Sequence, residues 1–258
     1  MTGRRHHQRG MSLVSLMIGT AIGLFLIGAT LKLYVHTRDS FALQGAIADV
    51  AETQRFAIDD LRRVLVMAGR GIRQTEENRV ARRSFPPLGS GGLRSGGAGT
   101  ADVVGVRFRR GPGCRGYQNV AFPNPPVTVR FLVDGQGRLV CEQNGRRYVI
   151  AAEVPYLKAL YGVDDDGDGY PNRYLTAAQV NRLPAPAGHS SPWVKVVSLR
   201  LGIVARSSDP LPRGARPDQA TALDVLGDAW TPPDTERLYR VATTTILLRN
   251  LNAGVYRQ

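Results

Sequence analysis

The chain has 258 residues and carries 34 basic against 21 acidic side chains, a formal net charge of +13. That length bounds it to one or two domains and leaves room, beyond one apolar N-terminal segment, for a soluble domain with a real core. Its two cysteines and four histidines exclude a cysteine-based zinc site, because no further ligand lies at credible spacing. Only Lys32, Lys158 and Lys195 among the basic residues are lysine, so 31 are arginine. A GC-rich coding sequence accounts for that ratio; an anionic partner, such as DNA or an acidic surface polymer, is the functional alternative.

The first ten residues, Met1–Gly10, are short and polar, with Arg4, Arg5 and Arg9 and no acid. Losing them would lower the net charge from +13 to +10. No charged residue then occurs from Met11 to Leu31, and Lys32 closes the run. Twenty or so apolar residues in a helix span the ~30 Å hydrocarbon core of a bilayer. A basic flank before such a run keeps the N-terminus cytoplasmic and sends the remainder across the membrane.

An ordinary secretory signal is cut after its apolar segment. Here the natural cleavage point, Gly10, precedes it. The stretch Gly10-Met11-Ser12-Leu13-Val14-Ser15-Leu16-Met17-Ile18 resembles the prepilin signal of type IV pilins and type II secretion pseudopilins. In that family a basic leader ends in Gly and is followed by a segment like F-T-L-[IV]-E-L-[LM]-[IV]. The resemblance implies that prepilin peptidase cuts after Gly10 and methylates the new amino group of Met11. One position departs from the pattern: Ser15, the fifth mature residue, stands where the family usually carries Glu. A plain signal-anchor helix is the alternative. Gly19 and Gly23, with Gly28 further on, suit either close helix–helix approach or simple tolerance of glycine in lipid.

Past Tyr34 the apolar residues take a helical period: Ile47, Ala51, Ile58, Leu61, Leu65 and Ala68, with Gln54 filling one gap. No proline occurs before Pro86, and glycine is the usual helix stop, so the helix is expected to run from Met11 to Ala68-Gly69. Residues 11–34 would lie in lipid, and 35–69 would pack one face on a globular domain. Residues 70–100 are rich in Gly, Ser, Pro and Arg and read as a mobile surface loop. Residues 101–258 form the β-rich domain. Its expected strands are Val103–Phe108, Val127–Val133, Arg138–Cys141, Arg147–Ile150, Trp193–Val204 and Leu238–Leu248, with Asn144-Gly145 as a hairpin turn. One long helix followed by antiparallel strands makes an α+β domain, pilin-like in the light of the N-terminal signal.

Cys114 and Cys141 both lie beyond the membrane segment, on the oxidising side, where a pair is expected to form a disulfide. The cluster with ligand character is Asp164-Asp165-Asp166-Gly167-Asp168-Gly169-Tyr170-Pro171-Asn172. Asp164, Asp166, Asp168 and Gly169 match the opening of an EF-hand-type calcium loop. The Tyr170 carbonyl and Asn172 would stand at its seventh and ninth positions. The twelfth, usually a bidentate Glu, is Leu175, so water or another part of the chain would have to complete the shell. A Ca2+ site and a solvated aspartate turn both fit this spacing. Enzymatic readings have little support. His6 and His7 leave with the leader, His36 lies beside the membrane and His189 sits in a Pro- and Gly-bounded loop. The glycine run at 89–99 lacks the lysine of a phosphate-binding loop. A non-catalytic protein is expected.

Within the prepilin-like proteins the chain resembles the PilW group of minor pilins. The matching pieces are Gln54-Arg55-Phe56-Ala57-Ile58-Asp59-Asp60-Leu61-Arg62, Met67-Ala68-Gly69, Leu160-Tyr161-Gly162-Val163-Asp164 entering an Asp-Gly loop, and Arg237-Leu238-Tyr239-Arg240-Val241-Ala242-Thr243-Thr244-Thr245-Ile246. The resemblance implies a single-pass inner-membrane precursor with its C-terminal domain in the periplasm. Its partners would be prepilin peptidase, the assembly platform, inner-membrane lipid, other minor pilins and the major pilin, in the complex that primes or caps a type IV pilus. The J-type pseudopilin of type II secretion is the nearest rival, and a DNA-binding uptake subunit using the arginine-rich surface is the alternative of another class.

Overall fold

In a computed structural model, residues 13–72, 84–89, 92–114, 119–121, 126–187, 189 and 191–251 are described. A 53-residue helix, α1 (Leu13–Leu65), runs for about 80 Å at the usual rise per residue. Its first half leaves Leu13, Val14, Leu16, Met17, Ile18, Leu24, Phe25 and Leu31 exposed, and it is long and apolar enough to cross a bilayer. Thr20 and Thr30 turn their hydroxyls back onto the carbonyls of Met17 and Ile27, so neither needs an outside partner.

The second half of α1 is buried along Val50, Ala57, Leu61, Val64 and Leu65. The expected stripe holds at its C-terminal end, where Leu61, Leu65 and Ala68 are buried, and shifts further up, where Ile47 and Ile58 are half-buried and Ala51 faces solvent. Gln54, which fills the gap in that stripe, faces the sheet: its side-chain amide donates to the Arg240 carbonyl at 2.9 Å. The helix also stops earlier than expected, at Leu65. Residues 67 and 68 make tighter bonds to the carbonyls of Val64 and Leu65, and the Gly69 N–H goes to Arg107 of the sheet. Gly69 has φ +75°, the left-handed conformation that sends the chain out of a helix.

Two four-stranded antiparallel sheets follow. The strands are β1 (Val104–Phe108), β2 (Arg110–Pro112), β3 (Asn119–Ala121), β4 (Val127–Val133), β5 (Leu139–Gln143), β6 (Arg146–Ala151), β7 (Tyr156–Val163), β8 (Arg173–Leu175), β9 (Val196–Arg206), β10 (Leu223–Val225), β11 (Asp228–Trp230) and β12 (Tyr239–Leu247). The first sheet has the order β1-β4-β5-β6 and the second β12-β9-β7-β8, with hairpins β2-β3 and β10-β11 beside them. In β4 the residues Val127, Val129 and Phe131 are buried and alternate with half-buried neighbours, the period of a sheet with one dry face. Asn144 and Gly145 both have positive φ, as a two-residue hairpin turn between β5 and β6 requires.

The strand β9 is buried almost throughout. One of its faces joins the α1 core through Leu199, Leu201 and Ile203. Over Gly202 lies the β10-β11 hairpin, so close that a Cβ there would stand 2.7 Å from Val225. Trp193, Val194 and Lys195, expected at the start of this strand, instead belong to a 3-10 turn (Pro192–Lys195) opened by Pro192 and capped by the Ser191 hydroxyl. The turn places Trp193 against Phe85 and Tyr161, with ring centroids 5.1 and 5.0 Å away.

Phe85 corrects the expectation of a surface loop over 70–100. Among the described residues of that stretch, Ser84, Phe85 and Leu93 are buried, and the two apolar side chains join the main core. A short helix, α2 (Ala177–Arg182), also went unexpected. Thr176 and Gln179 form a complete capping box at its start, with the Thr176 hydroxyl accepting from the Gln179 N–H and the Gln179 amide oxygen accepting from the Thr176 N–H.

Candidate functional site

The aspartate loop connects β7 to β8 at the edge of the second sheet. Two backbone bonds clamp its ends: the Asp164 N–H donates to Lys195 O and the Asn172 N–H to Val163 O, each 2.9 Å. Asp164 is buried, and its carboxylate accepts the N–H groups of Gly167 (2.6 Å) and Gly169 (2.9 Å). Both glycines have positive φ, which lets the chain curl around this one carboxylate. Asp168 accepts from the Tyr170 N–H at 2.7 Å.

Ligand oxygens of Asp164, Asp166 and Asp168 all lie within 4.8 Å of one another. Oxygens on opposite sides of a bound Ca2+ stand at most about 5 Å apart, so the three carboxylates fit around one such ion. An all-oxygen donor set selects a hard cation. The structure brings together these three of the five expected ligands. Asn172 instead spans the loop: its amide oxygen accepts from the Asp165 N–H (2.6 Å) and its NH2 donates to Asp166 (3.1 Å). That second bond holds the Asp166 carboxyl below the usual carboxylate range. The Tyr170 side chain is exposed, and Leu175, in the place of the customary Glu, closes β8 against Tyr161. Asp165 points away from the cluster and pairs with Arg173 (2.8 Å) and Lys195 (3.3 Å). Neither cation was singled out from the sequence, since charge pairs across a loop leave no local pattern.

Cys114 and Cys141 are joined as a disulfide, with Cα atoms 5.5 Å apart, and tie the segment after β2 to the middle of β5. Gln143 supports this join by accepting the Cys114 N–H at 2.9 Å. Ser15 lies exposed in the first described turn of α1. Gly10 and Met11, the expected processing site, lie outside the described residues. His189 lies between two residues outside the description, and its buried Nδ1 has no hydrogen-bond partner among the described residues.

Residues 129–250 match the family model of PilW, the type IV pilus-assembly protein W. The match is to just under half of the chain, from within β4 to just past the end of β12. A type IV-like pilin from Thermus thermophilus is similar to 78% of this chain over 97% of its own length, at 16% identity and a TM-score of 0.40, too distant to bear on function. No curated protein matches the chain.

Proposed function

We propose, from the match to PilW over residues 129–250 and the exposed apolar helix that precedes it, that the protein is a minor pilin of the PilW type. It would join other minor pilins and the major pilin in the complex that starts or caps a type IV pilus. The observation that carries the reading is the PilW match over residues 129–250. The exposed apolar first half of α1 supports it, because such a surface is stable only in lipid or against other helices. In this reading prepilin peptidase processes the chain at Gly10, the N-terminus faces the cytoplasm and the β domain faces the periplasm. The assembly platform then draws the subunit from the inner membrane. The role is architectural rather than catalytic. Calcium at Asp164, Asp166 and Asp168 would neutralise the crowded carboxylates and fix the exposed edge of the second sheet.

The test is deletion of the gene in its own host. Loss of surface pili, restored by the wild-type chain, with secretion of folded exoproteins unchanged, is the expected result. Intact piliation with failed secretion would replace this reading with the pseudopilin one.

A further inference from the structure

A second cluster of charged side chains lies inside the domain, away from the aspartate loop. Lys158 of β7 is 8% exposed at its side chain, and its Nζ stands 2.8 Å from Asp228 Oδ2 and 3.9 Å from Asp102 Oδ1. The Asp102 side chain is 3% exposed. Its Oδ1 accepts the Gly96 N–H (2.6 Å) and its Oδ2 the Ala159 N–H (2.9 Å). Tyr156 donates its hydroxyl to Asp228 Oδ2 at 2.6 Å, and the Trp230 ring, 5.7 Å from that of Tyr156, closes one side.

The surroundings push the two carboxyls in opposite directions. Burial is the largest influence on Asp102 and pushes its carboxyl above the usual carboxylate range, despite the two N–H donors and Lys158. Burial acts on Asp228 as well, but there the bonds from Lys158 and Tyr156 outweigh it and hold the carboxyl low. Two neighbouring carboxyls whose environments push them apart in this way are the arrangement of an acid–base pair. The amine is a lysine in a chain whose other basic residues are nearly all arginine. Arginine cannot give up its proton in a protein, whereas a desolvated lysine can become a nucleophile.

We propose that Lys158 and Asp102 condense to an isopeptide bond, with Asp228 as the base. Asp228 takes one proton from the Lys158 ammonium. The neutral Nζ attacks the carboxyl carbon of Asp102 in its protonated form, where the N–H on the retained oxygen, Gly96 at Oδ1 or Ala159 at Oδ2, stabilises the charge developing there. The bond from that carbon to its hydroxyl then breaks. The hydroxyl departs as water with a second proton from nitrogen, leaving a secondary amide. One water is lost, no electrons are transferred, and Asp228 finishes protonated until it exchanges with solvent. Geometry supplies the drive, because nucleophile, base and acid are already fixed by packing. The product braces β7 of the second sheet to the residue that leads into β1 of the first, beside the existing Asp102 N–H to Leu157 carbonyl bond (2.8 Å). This inference stands on the cluster alone and is independent of the role in pili.

Mass spectrometry of the full chain, purified from its own membranes and with its disulfide reduced, tests it. The intact mass should fall short of that required by its N-terminus by one water, and peptide mapping should yield one branched peptide joining Asp102 to Lys158. A cross-linked fraction that grows on incubation of the folded protein has the same meaning. Lys158→Arg and Asp228→Ala should restore the full mass, a readout that a merely structural ion pair would not move. If either variant fails to fold, the wild-type mass decides alone. Folded wild-type protein of full mass after prolonged incubation overturns the proposal, as does a cross-link to Asp228 in place of Asp102.

Discussion

Gly162 of β7 lies directly opposite Ser198 of β9, and a Cβ on Gly162 would stand 2.1 Å from the Ser198 hydroxyl oxygen. Pro171 of the aspartate loop folds over the same spot, 2.8 Å from that Cβ. The loop thus rests on a place in the sheet that only glycine leaves open. Gly162→Ala should destabilise the domain by about 1–3 kcal/mol, the usual cost of overpacking a core. Gly135→Ala, at a turn with nothing within 4 Å, is the control and should change the melting temperature little. Equal melting temperatures for the two variants would contradict the packing described.

The aspartate loop separates two roles that substitution can tell apart. Asp164 holds the turn through Gly167 and Gly169, so Asp164→Asn should destabilise the protein by about 1–3 kcal/mol even without metal. Asp166 and Asp168 are exposed and contribute mainly charge. In millimolar calcium the wild type should melt higher, because an ion bound to the folded state alone stabilises it. Asp166→Asn should remove that increase while leaving the metal-free melting temperature near wild type. The check is thermal unfolding with calcium and with chelator.

Glu142 sits between Arg130 and Arg147 in the first sheet. Burial opposes its ionisation, but the two guanidinium groups outweigh burial and hold the carboxyl below its ordinary range. With the folded value below the unfolded one, this pairing stabilises the protein fully above the unfolded value of about 4.3. Its contribution is lost as the pH falls through the folded value. Glu142→Gln should therefore lower stability at neutral pH and flatten the fall in stability below about pH 4. Urea titrations across the acid range measure both.

The disulfide closes a sequence separation of 27 residues between Cys114 and Cys141. On the chain-entropy account, removing it should cost about 3–4 kcal/mol. Both sulfurs belong to buried residues, so reduction without denaturant should be slow. Thiol labelling in denaturant should find no free cysteine in exported protein and two after reductant.

The N-terminal predictions concern processing and position. Mature protein from its own membranes should begin at a methylated Met11. A start near Thr30, as an ordinary signal peptidase leaves, would overturn the prepilin resemblance. Ser15 cannot offer a carboxylate to the amine of a neighbouring subunit within the apolar bundle, where an unpaired charge costs several kcal/mol. The subunit should therefore be placed first, with none above it, and immunogold label should appear at pilus tips. Label spread along the shaft in wild type, unchanged in Ser15→Glu, would contradict this.

Much of the architecture is legible in the amino-acid order because it depends on local patterns. The uncharged run from Met11 to Leu31 determines an apolar helix. Alternation of apolar residues in Val127–Val133 determines a strand with one dry face, and Asn144-Gly145 determines the hairpin beside it, since two positive φ angles in a row are costly for most other pairs. The spacing of Asp164, Asp166 and Asp168 fits both a cation site and a solvated turn, and the structure brings their ligand oxygens within 4.8 Å of one another. The capping box at Thr176 and Gln179 was equally local and simply passed unread.

Other features depended on surfaces far apart in the chain. Which side of α1 is buried was decided by the docked sheets, since the neighbouring apolar residues Val50 and Ala51 point about 100° apart and only one can face them. Phe85 reads as part of a loop until Tyr161 and Trp193 supply the cavity it fills. Lys158, Asp102 and Asp228 are separated by dozens of residues and carry no shared spacing. They meet because β7 pairs within one sheet, Asp102 enters the other, and the β10-β11 hairpin folds over Gly202 to deliver Asp228. Sequence determines elements whose energetics are local; burial of a charge is a property of the assembled core, and only the tertiary structure decided it.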